Sequence, residues 1–184
     1  YSEIEPNSDD QTEPGLDSKL RDTADLGEST YEGTGRLQGR RSLVTGGDSG
    51  IGAATVIAFA REGADVAIAY LPEEQEDADR VTAIAQDAGV NVVQLPGDLT
   101  DEKYVKGLAD AAVAKLGGLD ILVNNAGKQI YNEDLTTLTS EQFDETFKVN
   151  VYAMFEISKA AIPHLPPGST IINTTSIQAY SPAA

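Results

Sequence analysis

The run Thr45-Gly46-Gly47-Asp48-Ser49-Gly50-Ile51-Gly52 follows a short apolar stretch and opens a helical one. Glycines at such a junction permit a tight turn and let a ligand's phosphates approach the backbone. The helix that starts there offers free N–H groups and the positive end of its dipole. The spacing is Gly-x-x-x-Gly-x-Gly rather than the Gly-x-Gly-x-x-Gly of the common dinucleotide fingerprint. Taken alone, it also fits a glycine-rich turn that binds nothing. A P-loop is excluded, because Gly127-Lys128 is followed by Gln129 and Leu122 stands five residues before the glycine. Four more polar groups sit at the ends of apolar runs or inside them. Asn124-Asn125-Ala126-Gly127 closes one run, and Asp98-Leu99 closes another, where Asp98 either meets a ligand or caps a helix beginning near Thr100 and Asp101. Ile171-Ile172-Asn173-Thr174-Thr175-Ser176 brings a hydroxyl, Ser176, to the end of a third, as a reactive group or a strand-end cap. Asn150 interrupts the apolar face of a long helical stretch. Burying it costs free energy unless it is hydrogen-bonded, so it either bonds backbone structurally or serves a site.

The elements that must position these groups are legible as periodicity. Five runs rich in Val, Ile and Leu, namely 42–45, 65–70, 91–95, 119–123 and 169–175, have the length and composition of strands buried on both faces. Helical spacing fills the gaps. Ile51, Ala54, Thr55, Ala58 and Phe59 share one face; Ala78, Val81, Ile84 and Ala88 form a stripe; Tyr104, Val105, Leu108, Ala112 and Val113 form another. The longest helix opens at Thr139, with Gln142 completing a Thr-x-x-Gln capping box. Phe143, Phe147, Val151, Met154 and Phe155 are its expected buried face, and Pro163 closes it. Gly89 and Gly117-Gly118 stand where helices should stop. Strands alternating with helices imply right-handed βαβ units and an α/β, doubly wound parallel sheet in strand order 3-2-1-4-5, with ligand at the carboxyl ends of its strands.

Composition narrows the chemistry. The 184 residues include no cysteine and one histidine, His164, so disulfides, thiolate metal sites, a histidine zinc site and a Ser-His-Asp triad are set aside. A net charge of −17 opposes nucleic-acid binding. No apolar stretch of about 18 residues suggests a membrane span, and the polar, acidic N-terminus is unlike a secretory signal, so a cytoplasmic location is expected. Residues 1–35 hold ten acids and two bases and lack periodicity. They read as an acidic arm, poorly ordered or docked through Ile4, Leu16, Leu20, Leu26 and Tyr31.

The glycine turn, Asn124-Asn125-Ala126-Gly127, Asn150 in Val149-Asn150-Val151 and the strand ending in Ser176 occur in the order found in the short-chain dehydrogenase/reductase family, which the chain resembles from about Leu37 to Ser176. The arm, Tyr31-Glu32-Gly33-Thr34-Gly35-Arg36-Leu37 and Ser176-Ile177-Gln178-Ala179-Tyr180 resemble an N-terminally extended bacterial subgroup, whose members are described as aldehyde or sugar-alcohol oxidoreductases. The resemblance implies an incomplete NAD(P)-binding Rossmann domain over residues 36–184. It implies hydride transfer between a nicotinamide cofactor and an alcohol or a carbonyl compound, and a homo-oligomer when complete. It assigns Ser176 and Asn150 to catalysis. Gly46, Asp48, Ser49, Gly50, Ile51, Gly52, Tyr70, Leu71, Asp98, Leu99, Asn125, Ala126 and Gly127 are assigned to the cofactor. The family's Tyr-x-x-x-Lys, expected roughly a dozen residues after the serine as general acid/base and its helper, is missing. Tyr180 does not substitute, since a lysine would have to stand at Ala184. A fragment of a longer enzyme is therefore expected, with a non-catalytic dinucleotide-binding or scaffold protein as the alternative. An acid on the ribose is expected about 20 residues after the turn, where Tyr70-Leu71 stand, and the basic residue of NADP-preferring relatives is Ser49 here. Asp48 and the general acidity lean the cofactor to NAD.

Overall fold

A computed structural model describes residues 11, 14–20, 23–130, 132, 134–177 and 180–181. The first ten residues, including Ile4 among the expected docking positions, lie outside the described residues, as do Gln178, Ala179 and Ala184. Five parallel strands, β1 (Arg41–Thr45), β2 (Asp65–Tyr70), β3 (Val92–Pro96), β4 (Ile121–Asn124) and β5 (Thr170–Asn173), form one sheet in the order β3-β2-β1-β4-β5. Between them run α1 (Gly50–Arg61), α2 (Gln75–Gln86), α3 (Glu102–Leu116), α4 (Ser140–Phe147) and α5 (Met154–Ala161). The expected architecture and strand order are thus observed, with strand ends displaced by at most two residues.

Alternation along each strand divides the core between the two faces. Leu43, Ala67, Leu95 and Leu122 meet α3 and α5 through Leu108, Ala112 and Ile157. Val44, Val66, Ile68 and Val123 meet α1 and α2 through Val56, Ile57 and Val81. Each fully buried Val, Leu or Ile among them contributes about 1.5–3 kcal/mol. The chain reversals after α2 and α3 fall on Gly89 and Gly117, both at positive φ.

Three helix faces differ from expectation. On α1 the buried residues are Gly52, Ala53, Val56, Ile57 and Ala60, while Ile51 is 70% exposed. The helix is apolar nearly all round, and small residues let it approach the sheet closely. On α2 Ala85 rather than Ala88 continues the buried stripe. The long helix starts at the expected Thr139–Gln142 box, with Thr139 Oγ1 accepting from Gln142 N at 3.2 Å and Gln142 Oε1 accepting from Thr139 N at 3.0 Å. Its expected buried face is mostly outward. Phe143, Phe147, Val151 and Phe155 are exposed, and Ala153, Ile157 and Ala161 face the core instead. The small residues win because α5 packs directly against α3. The helix is also not uniform, since residues Lys148–Ala153 form a π-helical turn. β5 is largely exposed, Ile172 included.

The arm is held to the α1–α2 face by polar contacts. The Arg61 guanidinium donates to the carbonyls of Gly27 and Glu28, both at 2.6 Å, and to that of Tyr31. Glu62 accepts from Tyr31 Oη, Thr34 N, Arg36 N and the Arg36 guanidinium, and these donors hold its carboxyl well below the usual range. Leu26 and Leu37 pack against the Val56–Ile57 side of the core.

Candidate functional site

At the carboxyl end of β1 the chain turns through Gly46, at φ +61°, into α1. The backbone here is packed too tightly for side chains. A Cβ on Gly47 would stand 2.8 Å from Ile68 Cγ2, and one on Gly52 would stand 1.7 Å from the Gly46 carbonyl oxygen. Gly50, at φ +49°, has open space where its Cβ would be. The first N–H groups of α1 emerge from this turn, that of Gly50 donating to Asp17 Oδ2 at 3.1 Å, and the Ile51 side chain lies outside the core.

Asn125 ties this turn to β4. Its Nδ2 donates to the carbonyls of Thr45 (3.2 Å) and Gly46 (3.1 Å), and its Oδ1 accepts from Thr174 Oγ1 at 3.3 Å. The Thr45 hydroxyl oxygen returns the contact by accepting from Asn125 N (3.0 Å) and Ala126 N (3.1 Å). Asn124 links β4 to β5 and α5, donating to Asn173 Oδ1 at 2.9 Å and Ser158 Oγ at 3.0 Å. Ser176 follows β5 at the same end of the sheet and is exposed. Asn150 sits within the π-helical turn, a local geometry frequent at functional sites. Its Oδ1 accepts from Lys128 N and its Nδ2 donates to Lys128 O, both at 2.7 Å, so it fixes the segment just after Gly127. The Gly127 Cβ position lies 3.6 Å from Asn150 Oδ1. The Lys128 ammonium also pairs with Glu145 at 2.8 Å.

The expected cofactor residues divide by environment. Gly46, Ser49, Gly50, Ile51, Gly52, Asn125, Ala126 and Gly127 gather around the turn. Asp98 is exposed and accepts from Thr100 N at 2.7 Å, a local turn contact, while the cap of α3 is Asp101, which accepts from Lys103 N at 2.8 Å; Leu99 packs against the α3 side of the core. Tyr70 is turned inward, 4% exposed, with its hydroxyl donating toward Gln75 Oε1 (2.7 Å) and Gln94 Oε1 (3.1 Å). Leu71 is half-buried, and its N–H donates to Glu74 Oε2 at 3.2 Å. Asp48 is 1% exposed. Neither of its oxygens has a hydrogen-bond partner of acceptable geometry among the described residues, although the Ser49 hydroxyl and its own N–H lie close enough to soften the penalty. Burial, then the nearby Asp77 and Asp17 carboxylates, push its carboxyl above the ordinary range. Burial and Asp48 likewise raise Glu74 to about 7.

The acids Asp17, Glu74 and Asp77, which join Asp48 around the turn, had no signal in the sequence, because they come together through long-range packing. Lys128 is held through its backbone, which residue identity does not announce. His164 meets Asp110 on α3 at 2.7 Å. Among the described residues no cluster of acids and histidines is arranged to hold a metal ion, and no helix is long and apolar enough to cross a membrane.

A protein-family profile described as Enoyl-(Acyl carrier protein) reductase matches residues 46–183. The chain belongs to the short-chain dehydrogenase/reductase family. An uncharacterized oxidoreductase, YghA of Escherichia coli (strain K12), is 55% identical over 173 residues, which are 94% of this chain and 59% of the relative. NADPH-dependent aldehyde reductase 1 of Arabidopsis thaliana is 32% identical, over 91% of this chain and 60% of the relative. Glucose and ribitol dehydrogenase of Daucus carota is 33% identical, over 95% of this chain and 62% of the relative. Among solved structures, a short-chain dehydrogenase from Burkholderia cenocepacia J2315 in complex with NADP aligns with TM-score 0.78 and 42% identity, covering 81% of this chain and 60% of that one. This short-chain dehydrogenase/reductase chain spans about three fifths of the length of those relatives.

Proposed function

We propose that residues 36–184 are the dinucleotide-binding domain of an NAD(P)-dependent oxidoreductase acting between alcohols and aldehydes or ketones, with residues 1–35 as its arm. The observation that carries this reading is the turn at the start of α1. The leading N–H groups of α1 stand at the carboxyl end of β1, Gly47 and Gly52 leave no room for side chains, and Asn125 and Thr45 lock the turn to β4. Ser49, Gly50, Ile51 and Gly52 would hold the phosphates on backbone N–H groups, while Gly46, whose own N–H donates to Ala69 O at 2.7 Å, shapes the turn. Asp48 supplies buried acceptors, Asn125 to Gly127 line the path beyond, and Asp98 and Leu99 meet the adenine end. The nicotinamide supplies or accepts the hydride.

Ser176 donates a hydrogen bond to the substrate oxygen, and Asn150 holds the loop at Lys128 from which a relay water is positioned. Neither has a pKa suited to proton transfer at neutral pH. The proton therefore needs a Tyr-x-x-x-Lys pair, which is not among these 184 residues. A positioned acid/base contributes roughly 10²–10⁴-fold. The leaning to NAD gains nothing from the similar proteins, one of which was solved with NADP and another of which is named for NADPH. Its physical basis is also weakened, since burial opposes ionisation of Asp48. The substrate class follows the aldehyde reductase and the glucose and ribitol dehydrogenase. The outward Phe143, Phe147 and Phe155 stripe supports packing against a second copy in a homo-oligomer.

The test follows nicotinamide absorbance with aldehydes and sugar alcohols for the 184-residue chain and for a longer gene product. The short chain should bind NADH or NADPH by fluorescence titration without turnover. The longer one should turn over, and Ser176→Ala in it should lower kcat by orders of magnitude at nearly unchanged cofactor affinity. Turnover by the short chain refutes the assignment of the proton donor. A longer chain without Tyr-x-x-x-Lys, binding cofactor but inert, is the outcome for a non-catalytic binding protein.

A further inference from the structure

The acidic arm reaches the phosphate turn itself. Asp17 Oδ2 accepts from Gly50 N at 3.1 Å, at the start of α1. The arm is clasped there from the other side. Asp77, a fully buried carboxylate on α2, accepts from Asp17 N at 2.7 Å and from Ser18 N at 3.0 Å. These are the first amides of the short 3-10 turn Asp17–Lys19. Gln11 closes the preceding loop onto both the N–H and the carbonyl of Leu16. Each partner thus lends a carboxylate to the other's free N–H groups.

An aspartate carboxylate on the leading N–H of a helix is the chemical equivalent of a phosphate oxygen in that place. Gly50 carries no side chain to hinder an anion, and the Cβ position there meets nothing within 4 Å. Two residues earlier in the chain, Asp48 is buried, with a weak tie to the Ser49 hydroxyl and its own N–H. The docking is also balanced rather than tight. Asp17, Asp48 and Asp77 are close enough to act on one another, and Arg80, at 3.5 Å from Asp17, is the cation paired with Asp17 among the described residues. Hydrogen bonds hold the arm while like charge opposes it.

We propose that the arm is a built-in competitor of the dinucleotide: Asp17 takes a donor of the phosphate turn, Asp77 clasps the arm in that position, and the docked arm and the cofactor's phosphates exclude each other. The proposal rests on the dinucleotide-binding reading above. It makes cofactor affinity a function of arm docking, and it requires the arm to lift when cofactor enters.

The test uses the full 184-residue chain, with NADH and NADPH as probes read by fluorescence and with trypsin cleavage after Lys19 as the reporter of the arm. Asp17→Ala and, separately, Asp77→Asn should tighten dinucleotide binding on the order of tenfold. Saturating NADH or NADPH should speed cleavage after Lys19 in the unaltered chain. Equal or weaker binding by Asp17→Ala, or protection of Lys19 by the dinucleotide, overturns the proposal and makes the arm a clamp. If no form of the chain binds either dinucleotide while circular dichroism shows all of them folded, the binding-site reading itself falls, and the competitor with it.

Discussion

Replacing Gly52 by Ala measures how far the phosphate turn depends on close backbone packing. The added methyl would lie 1.7 Å from the Gly46 carbonyl oxygen and 2.7 Å from Asn125 Nδ2. The first is main chain, and the second is the terminus of a side chain held by two hydrogen bonds, to Thr45 O and Gly46 O. Neither yields freely. Overpacking costs about 1–3 kcal/mol, and losing the two Asn125 bonds adds about 0.5–1.5 kcal/mol each, so the total loss is about 2–6 kcal/mol. With an m-value of about 1–3 kcal/mol per molar urea, the unfolding midpoint should drop by about 1 M or more. Gly50→Ala is the control. Its methyl meets nothing within 4 Å, and only its φ of +49° opposes the change, a cost of about 1–2 kcal/mol. Paired urea titrations followed by circular dichroism, with NADH binding measured on the folded forms, read both. If Gly52→Ala is no less stable than Gly50→Ala, the turn is not closed as the geometry requires and its knot with Asn125 carries little.

Glu74 should give the protein a stability that declines between pH 4.5 and 7. Its carboxyl is raised from 4.5 to about 7, so the unfolded chain loses that proton first, and the stabilisation present below 4.5 is gone above 7; Glu74→Gln should remove this slope, and an unchanged slope in urea titrations at pH 5 and 8 would count against it. Asn150→Ala deletes two bonds to the Lys128 backbone, costs about 1–3 kcal/mol, and should raise the Lys128 amide exchange rate more than that of β4; uniform exchange would refute a local role. Arg61→Ala frees three arm carbonyls and should speed exchange of the Tyr31 amide, which bonds Gly27 O, by about tenfold or more, while β1 amides stay unchanged.

The strands, their order and the Thr139–Gln142 box were legible because each rests on local pattern: short apolar runs, a turn after the first of them, and a capping pair three residues apart. The buried sides of α1 and of the long helix were not. Both are apolar around most of their circumference, and the alanines that permit close approach, Ala53, Ala60, Ala153 and Ala161, carry a weaker hydrophobic signal than the Ile and Phe they displace outward. The π-helical turn at 148–153 shifts the register by one residue, which a 3.6-residue period does not anticipate. At the site, the glycine turn and Asn125 were readable from spacing. The inward Tyr70 was not, because the Gln75 and Gln94 partners that draw it in lie on α2 and β3. Glu74 and Asp77 reach Asp48 from the start of α2, and Asp17 joins them only when the arm folds back.

That return path sets a concentration. Arg61, at the end of α1, holds Gly27, and Gly50, at its start, meets Asp17. The two points are separated by the length of α1, about 16–18 Å at 1.5 Å per residue. The ten residues from Asp17 to Gly27, taken as a free chain, have a root-mean-square reach of about 16–19 Å. A tether whose natural reach equals the gap it must cross delivers its end at the highest effective concentration, in the millimolar range for a short flexible linker. Asp17 therefore meets the turn as a ligand already present at such a level, however dilute the protein, and free dinucleotide must be judged against that standing concentration rather than against an empty site.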